Sequence, residues 1–236
     1  MSWLAGVDGC RTGWVVALAR YDTAALTLRD VRLCPRFDDV LALQPLPDVM
    51  AVDIPIGLLD LPRPGGRDCD RQARRLLGRR ACSVFSPPCR RILHATHYNQ
   101  VRGYGMSRQA FGILPKIREV DRLITPTWQK LVYEAHPELA FLSLAGNPLQ
   151  LNKKTVAGRT ARLQVLDNIP STPLHNLRPV LRQTLKTFKR SQVAPDDVID
   201  ACALVCTAYR IARHQASRVP IDTQNDSRGL QMAIWY

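Results

Sequence analysis

The sequence has no run approaching the roughly 18–20 consecutive apolar residues of a membrane-spanning helix, and Met1 to Ala19 lack a basic start followed by an unbroken apolar segment. The expectation is a cytoplasmic protein with no membrane partner. Internal repeats and low-complexity tracts are missing too, so neither a solenoid nor a compositionally biased tail is expected. Cysteine follows no framework: an odd count of 7 without a secretory signal points to reduced thiols. Cys82, Cys89, His94 and His97 could be imagined as a zinc set, but C-x6-C-x4-H-x2-H matches none of the usual spacings. Acidic residues are in deficit, 20 against 33 Lys and Arg, leaving a formal charge of +13. Such a balance concentrates polyanions near the surface and favours nucleic acid as a partner, without separating DNA from RNA.

What remains is ordinary for a globular chain: 46% hydrophobic and 22% charged among 236 residues, enough for one substantial core. Three strand-like segments open it, "WLAGVD", "GWVVALAR" and "LTLRDVRLC", joined by "GCRT" and "YDTAA". Connections this short predict an antiparallel meander. The apolar phase slips by one between Leu26/Leu28 and Val31/Leu33, which marks a bulge. "FDDVLAL" reads as a short helix, and "DVMAVDIPIGL" as a central strand buried on both faces. From about 61 to 127 the sequence turns Pro-, Gly- and Arg-rich, with helical pieces "RDCDRQARRLLGRR" and "PKIREVDRLI"; it is read as a helical insertion into a single domain spanning 1–236. "KLVYEAHPELAF" restores the strand signal, "NKKTVAGRTARLQVLDNI" reads as a basic amphipathic helix, and "GLQMAIWY" as a terminal strand. "APDDVIDACALVCTAYRIARHQ" is the clearest helix, with Pro195 at its start and Arg210, Arg213 and His214 near its end.

The carboxylates stand out against this frame. Asp8 ends the first strand and Asp53 the fourth, and a returning strand parallel to the first would put both at one end of the sheet. Like charges there repel; a divalent cation would remove the problem. Asp197 and Asp200, three apart, share a face of an otherwise apolar helix. No Lys or Arg between Asp197 and Tyr209 offers a local partner, so a metal is one economical answer. Glu134, with His136 behind it, is a further candidate ligand or proton-transfer group. Plainer roles exist for each: helix-dipole stabilisation for Asp196 and Asp197, turn hydrogen bonds for Asp8 and Asp53, and a hydrogen-bonded structural role for His136 before Pro137.

In order along the chain, "GVDGCRTGWVVA", "AVDIPIGL", "GRRACSVFSPPCR", "SRQAFGILPKIREVD", "YEAHPELAF", "KKTVAGRTARL" and "DDVIDACALVCTA" resemble an uncharacterised bacterial and archaeal family of nucleases predicted to have the RNase H-like fold. The resemblance implies an α/β fold with a mixed five-stranded sheet ordered 3-2-1-4-5, strand 2 antiparallel, and helices on both faces. It also implies Mg2+ or Mn2+ at an acidic site. "DVIDACA" is similar to the last acidic helix of RuvC-type resolvases, whose pattern carries over to Asp8 as the ligand shared by two metals, Asp53 as the strand-four ligand, and Asp197 with Asp200 as the helix-borne pair. RuvC-type enzymes have glutamate where Asp53 stands, and the shorter side chain alters the metal spacing.

The function so implied is a metal-dependent nuclease hydrolysing phosphodiester bonds of DNA or RNA through two metal ions, with Asp8, Asp53, Glu134, Asp197 and Asp200 as catalytic residues. Arg71, Arg74, Arg75, Arg79, Arg80, Arg90 and Arg91, with Arg63 and Arg67 nearby, would bind phosphates, and Phe85, Tyr98 and Tyr104 would stack bases. Lys153, Lys154 and Arg159, with Arg162, would form a second anion-binding face. Two other classes compete: a non-catalytic nucleic-acid-binding protein of the same fold, and an actin-like or sugar-kinase-related ATP-binding protein, which needs a duplicated domain that this length does not accommodate. The sequence leaves the oligomeric state open.

Overall fold

The computed structural model describes residues 1–22, 25–169 and 173–236, and at position 223 the backbone alone. Strands β1 (Ser2–Cys10), β2 (Gly13–Tyr21) and β3 (Leu26–Cys34) form an antiparallel meander. Part of the expected "YDTAA" turn, at 23–24, lies outside the described residues. Helix α1 (Phe37–Leu41) leads to β4 (Val49–Val52), which returns parallel to β1 with Val7 opposite Val52. Between β4 and β5 lie α2 (Asp68–Leu77), several single 3-10 turns and α3 (Arg108–Leu123). Strand β5 (Val132–Glu134) adds parallel to β4 and runs into α4 (Pro137–Ala145), started by a proline in the first turn. Then come α5 (Val156–Asp167), β6 (Leu174–His175), α6 (Leu177–Thr187), α7 (Pro195–Ala212) and a hairpin of β7 (Arg218–Asn225) and β8 (Gln231–Trp235).

The sheet order is β5-β4-β1-β2-β3-β6. Its first five strands follow the order and directions expected of the RNase H-like fold, and the architecture is of that class. The expected five strands become six, because the two-residue β6 pairs parallel to the open edge of β3. The phase slip in β3 is real: Leu18 faces Asp30 while Ala19 faces Leu28, so Arg29 is the extra residue of a bulge. The terminal strand does not join the main sheet; it pairs with β7, whose Pro220 and polar residues hide the alternation in the sequence.

Strand alternation divides the core in two. Val15, Ala17 and Ala19 of β2 pack on one face beneath α7, whereas Trp14, Val16 and Leu18 pack on the other with Phe37, Ile117 and Val120. In β1, Leu4 and Cys10 belong to the α7 face and Ala5 and Val7 to the other, which assigns Gly6 and Asp8 to the α7 side. In β4, Val49 and Ala51 share that side, and Asp53 continues their phase. A side chain at Gly6 would collide with the backbone of α7, its Cβ 2.0 Å from the Ala201 carbonyl oxygen. Glycine there lets the acidic helix lie directly against the central strand.

Candidate metal centre

Asp8 and Asp53 stand side by side. Strand β1 continues two residues past Asp8 to pair Cys10 with Gly13, while the Asp53 N–H donates to the Val7 carbonyl at 2.9 Å and extends the parallel ladder by one residue. The two carboxyls lie close enough to act on each other's charge. Asp8 is buried, and its carboxyl is held well above the usual range by burial first and then by the charges of Asp53, Asp200 and Asp197. Burial also raises Asp53, against the pull of His136 and Lys153. Burial and mutual repulsion thus disfavour the charged form of both carboxyls.

Asp200 reaches the same face from the second turn of α7 and is 1% exposed, with burial pushing its carboxyl up to about 6. One oxygen, Oδ2, accepts from Lys153 Nζ at 2.5 Å. The other, Oδ1, is buried and has no hydrogen-bond partner among the described residues. The absence of a local cation on α7 is thus answered by a lysine 47 residues earlier in the chain, in the loop before α5. Asp197, one turn back, spends one oxygen capping the Ala194 N–H at 3.0 Å; burial raises its carboxyl, and it adds to the field on Asp8. Lys153 also feels Asp8 and Asp53, and Asp200 foremost holds its ammonium above the usual value although burial opposes this. A second lysine went unnoticed in the sequence. Lys116 of α3 passes beside Gly9, whose Cβ would stand 3.2 Å from its Cδ, and donates to the Gly13 carbonyl at 2.6 Å within reach of the Asp8 and Asp197 charges.

Glu134 corrects the sequence reading. It pairs in register with Val52, so it lies on the sheet face away from α7. Both its oxygens are taken, by Arg67 at 2.7 and 2.6 Å and by the Ile56 N–H at 2.7 Å. Arg67, expected to bind phosphate, is 1% exposed and also grips Asp70, the third member of a closed network. Burial lifts the Glu134 carboxyl to about 7, while Arg67 pulls it back. A cavity of about 20 Å³, room for little more than one water, is lined by both Asp53 and Glu134. His136 Nδ1 accepts from the Glu138 N–H at 3.2 Å and Nε2 lies 3.2 Å from the Ser83 carbonyl, the structural role weighed for it above. A larger cavity of about 370 Å³, between the loops at 59–67, 86–89 and 103–106, has none of the site carboxylates in its wall.

The basic residues separate in the same way. Arg71 is tied to Asp68, Arg74 to the Val84 and Gly65 carbonyls and Ser86 Oγ, Arg80 to Glu138, Arg90 to Asp121 and Asp226, and Arg159 to the Lys154 carbonyl. Arg63 pairs with Asp68, and Arg162 is fully buried against Glu138, which the sequence had not singled out. Arg75, Arg79, Arg91 and Lys154 are exposed with no side-chain partner among the described residues. Tyr98 donates to the Met106 carbonyl and packs edge-on against Phe111, and Phe85 and Tyr104 pack on the same core while staying partly exposed, Tyr104 in the wall of the larger cavity. Cys82 is exposed while Cys89 is buried.

The donor set suits a hard divalent cation: carboxylate oxygens on one face, their mutual repulsion relieved only in part by Lys153, and Asp200 Oδ1 left unpaired among the described residues. As positioned, no group of three His, Cys, Asp or Glu side chains among the described residues already forms a cage for a metal ion. The Lys153 ammonium supplies the positive charge instead.

A family model described as "Protein of unknown function (DUF429)" matches residues 6–225. No curated protein matches the chain. Among solved structures, T. thermophilus RuvC in complex with Holliday junction substrate is similar at 14% identity, with 91% of this chain and 98% of that chain covered and a TM-score of 0.37. No helix among the described residues is long and apolar enough to cross a membrane.

Proposed function

The chain belongs to the DUF429 family, and from its site we propose a metal-dependent nuclease that hydrolyses phosphodiester bonds of DNA or RNA. The reading is carried by one observation: Asp8, Asp53 and Asp200, from two strands and a helix, meet on one sheet face with the buried Asp200 Oδ1 unpartnered. Asp8, Asp53, Asp197 and Asp200 are the residues that would hold Mg2+ or Mn2+. The chemistry that such ions supply at a carboxylate site is polarisation of the phosphodiester and activation of water at neutral pH, and two of them need a shared ligand. Asp8 is that ligand in our reading, since the charges of Asp53, Asp200 and Asp197 all act on it. The sheet and α7 hold these side chains on rigid elements, which favours the positioning that phosphoryl chemistry demands. Arg75, Arg79, Arg91 and Lys154 are exposed cations that would meet the nucleic-acid backbone.

The test is cleavage of labelled single-stranded, duplex and branched DNA and RNA with Mg2+, Mn2+ or EDTA. Metal-dependent products that vanish in EDTA and in Asp8→Asn support the proposal; intact substrate under every condition removes it. A second reading has an observation of its own. Lys153 already pairs with Asp200, and no cage for a metal is formed among the described residues, which would suit a non-catalytic nucleic-acid-binding protein of this fold. Tight binding with no cutting in any metal would favour it.

A further inference from the structure

Lys153 is carried by a loop, not by the sheet. Asn152 fixes the backbone around it: its carbonyl accepts the Thr155 N–H at 3.0 Å and Thr155 Oγ1 at 2.8 Å, and its side chain accepts the Lys154 N–H at 3.0 Å. Gly158 lets the first turn of α5 close on this loop, since a Cβ there would stand 1.9 Å from the Asn152 carbonyl oxygen. With the backbone so held, the flexible part is the four-carbon stem of the lysine. Its side chain is 34% exposed while its ammonium reaches the almost fully buried Asp200. One charge serves several acids, because Asp8 and Asp53 act on the same ammonium. The set stays short of positive charge, and Asp200 Oδ1 stays open.

Building on the metal-dependent reading above, we propose that Lys153 is an exchangeable internal cation: it holds the acidic face together without metal, and a divalent ion entering the site displaces it to the rim beside Lys154. There its ammonium becomes available to an anionic ligand such as a backbone phosphate. Metal occupancy would therefore switch the charge presented by this loop. A monovalent ammonium on one oxygen of Asp200 is a weaker counter-charge than a divalent ion shared among several carboxylates, so the exchange runs toward metal.

Two measurements on the full chain test this. In EDTA-stripped protein titrated with MnCl2 by calorimetry, Lys153→Met should bind Mn2+ about tenfold or more tighter than wild type, because its competitor is gone, and Lys153→Arg should return toward the wild-type value. Amine-reactive labelling of wild type, read at Lys153 by mass spectrometry, should rise several-fold on adding Mn2+ while Lys154 stays constant; this arm does not depend on a variant folding. Equal or weaker Mn2+ binding by a folded Lys153→Met, or Lys153 labelling unchanged in Mn2+-loaded wild type, overturns the exchange and leaves the metal site standing. Absence of Mn2+ binding in both proteins overturns the exchange and the metal reading together.

Discussion

Two groups of buried acids lie at the same end of the sheet and have been treated oppositely. Glu134 and Asp70 are closed around Arg67, every carboxylate oxygen of Glu134 answered at 2.7 Å or less. Asp8, Asp53 and Asp200 have one ion pair, from Lys153 to Asp200, and the second Asp200 oxygen has nothing to accept from among the described residues. The first group is complete and holds the segment after β4 against β5. The second is left electrostatically strained by folding, and strain of that kind marks a place where another charge belongs. Neighbouring strands carry both, Glu134 on the face away from α7 and Asp8 on the α7 side, and only a small cavity at the sheet's end is lined by both Asp53 and Glu134.

The contrast can be broken most severely at Asp8. Asp8→Asn should remove Mn2+ binding and any metal-dependent cleavage by more than about 100-fold, yet raise Tm in EDTA, because a repelling buried charge has gone. Calorimetric Mn2+ titration and thermal unfolding read the two effects separately. A lower Tm in EDTA would show that Asp8 is structural.

Glu134→Gln should do the reverse. Removing one partner of a buried ion pair costs about 3–5 kcal/mol, a Tm fall on the order of 10 °C for a chain of this size, with Mn2+ affinity retained in the protein that remains folded. Loss of Mn2+ binding without loss of stability would return Glu134 to the site and erase the distinction.

The pH dependence sharpens it further. Asp8, Asp53 and Asp200 have folded-state values above the usual carboxylate value of 3.8, Asp200 at about 6. The folded state therefore binds more protons than the unfolded one, and stability falls as pH rises through this window. In EDTA, Tm should decline from about pH 4 to beyond pH 6; with millimolar Mg2+ or Mn2+ the decline should flatten. A Tm that rises over this range in EDTA would contradict the strained group. The smallest effects belong to the surface. Alanine at Arg75, Arg79 or Arg91 should each weaken nucleic-acid binding and lower the salt slope by about 1, whereas alanine at Arg74, tied to Val84, Gly65 and Ser86, should show mainly in Tm. Filter binding across a salt series distinguishes them.

Much of this was readable in one dimension. The meander, its bulge at Arg29, the parallel return of β4 and the helix beginning at Pro195 follow from connection lengths, period-2 burial and a proline cap, and so does the placement of Asp8 beside Asp53. Other features carry no local signal. Glu134 follows "LVY" much as Asp53 follows "MAV", but the register of β5 turns its side chain to the far face. The arginines from 63 to 91 look alike in sequence; only packing divides the exposed Arg75, Arg79 and Arg91 from the buried Arg67 and the carbonyl-bound Arg74. Lys153 reads as one more basic residue until the chain folds it onto Asp200.

The sequence by itself determined which carboxylates lie at the ends of elements and on which face of a helix, because strand and helix periodicity are properties of the backbone. Only the tertiary structure decided which of them receive a counter-charge. Neutralisation depends on residues tens of positions away being carried to within about 3 Å, a distance set by how strands register and how closely Gly6 lets α7 approach, not by any local pattern.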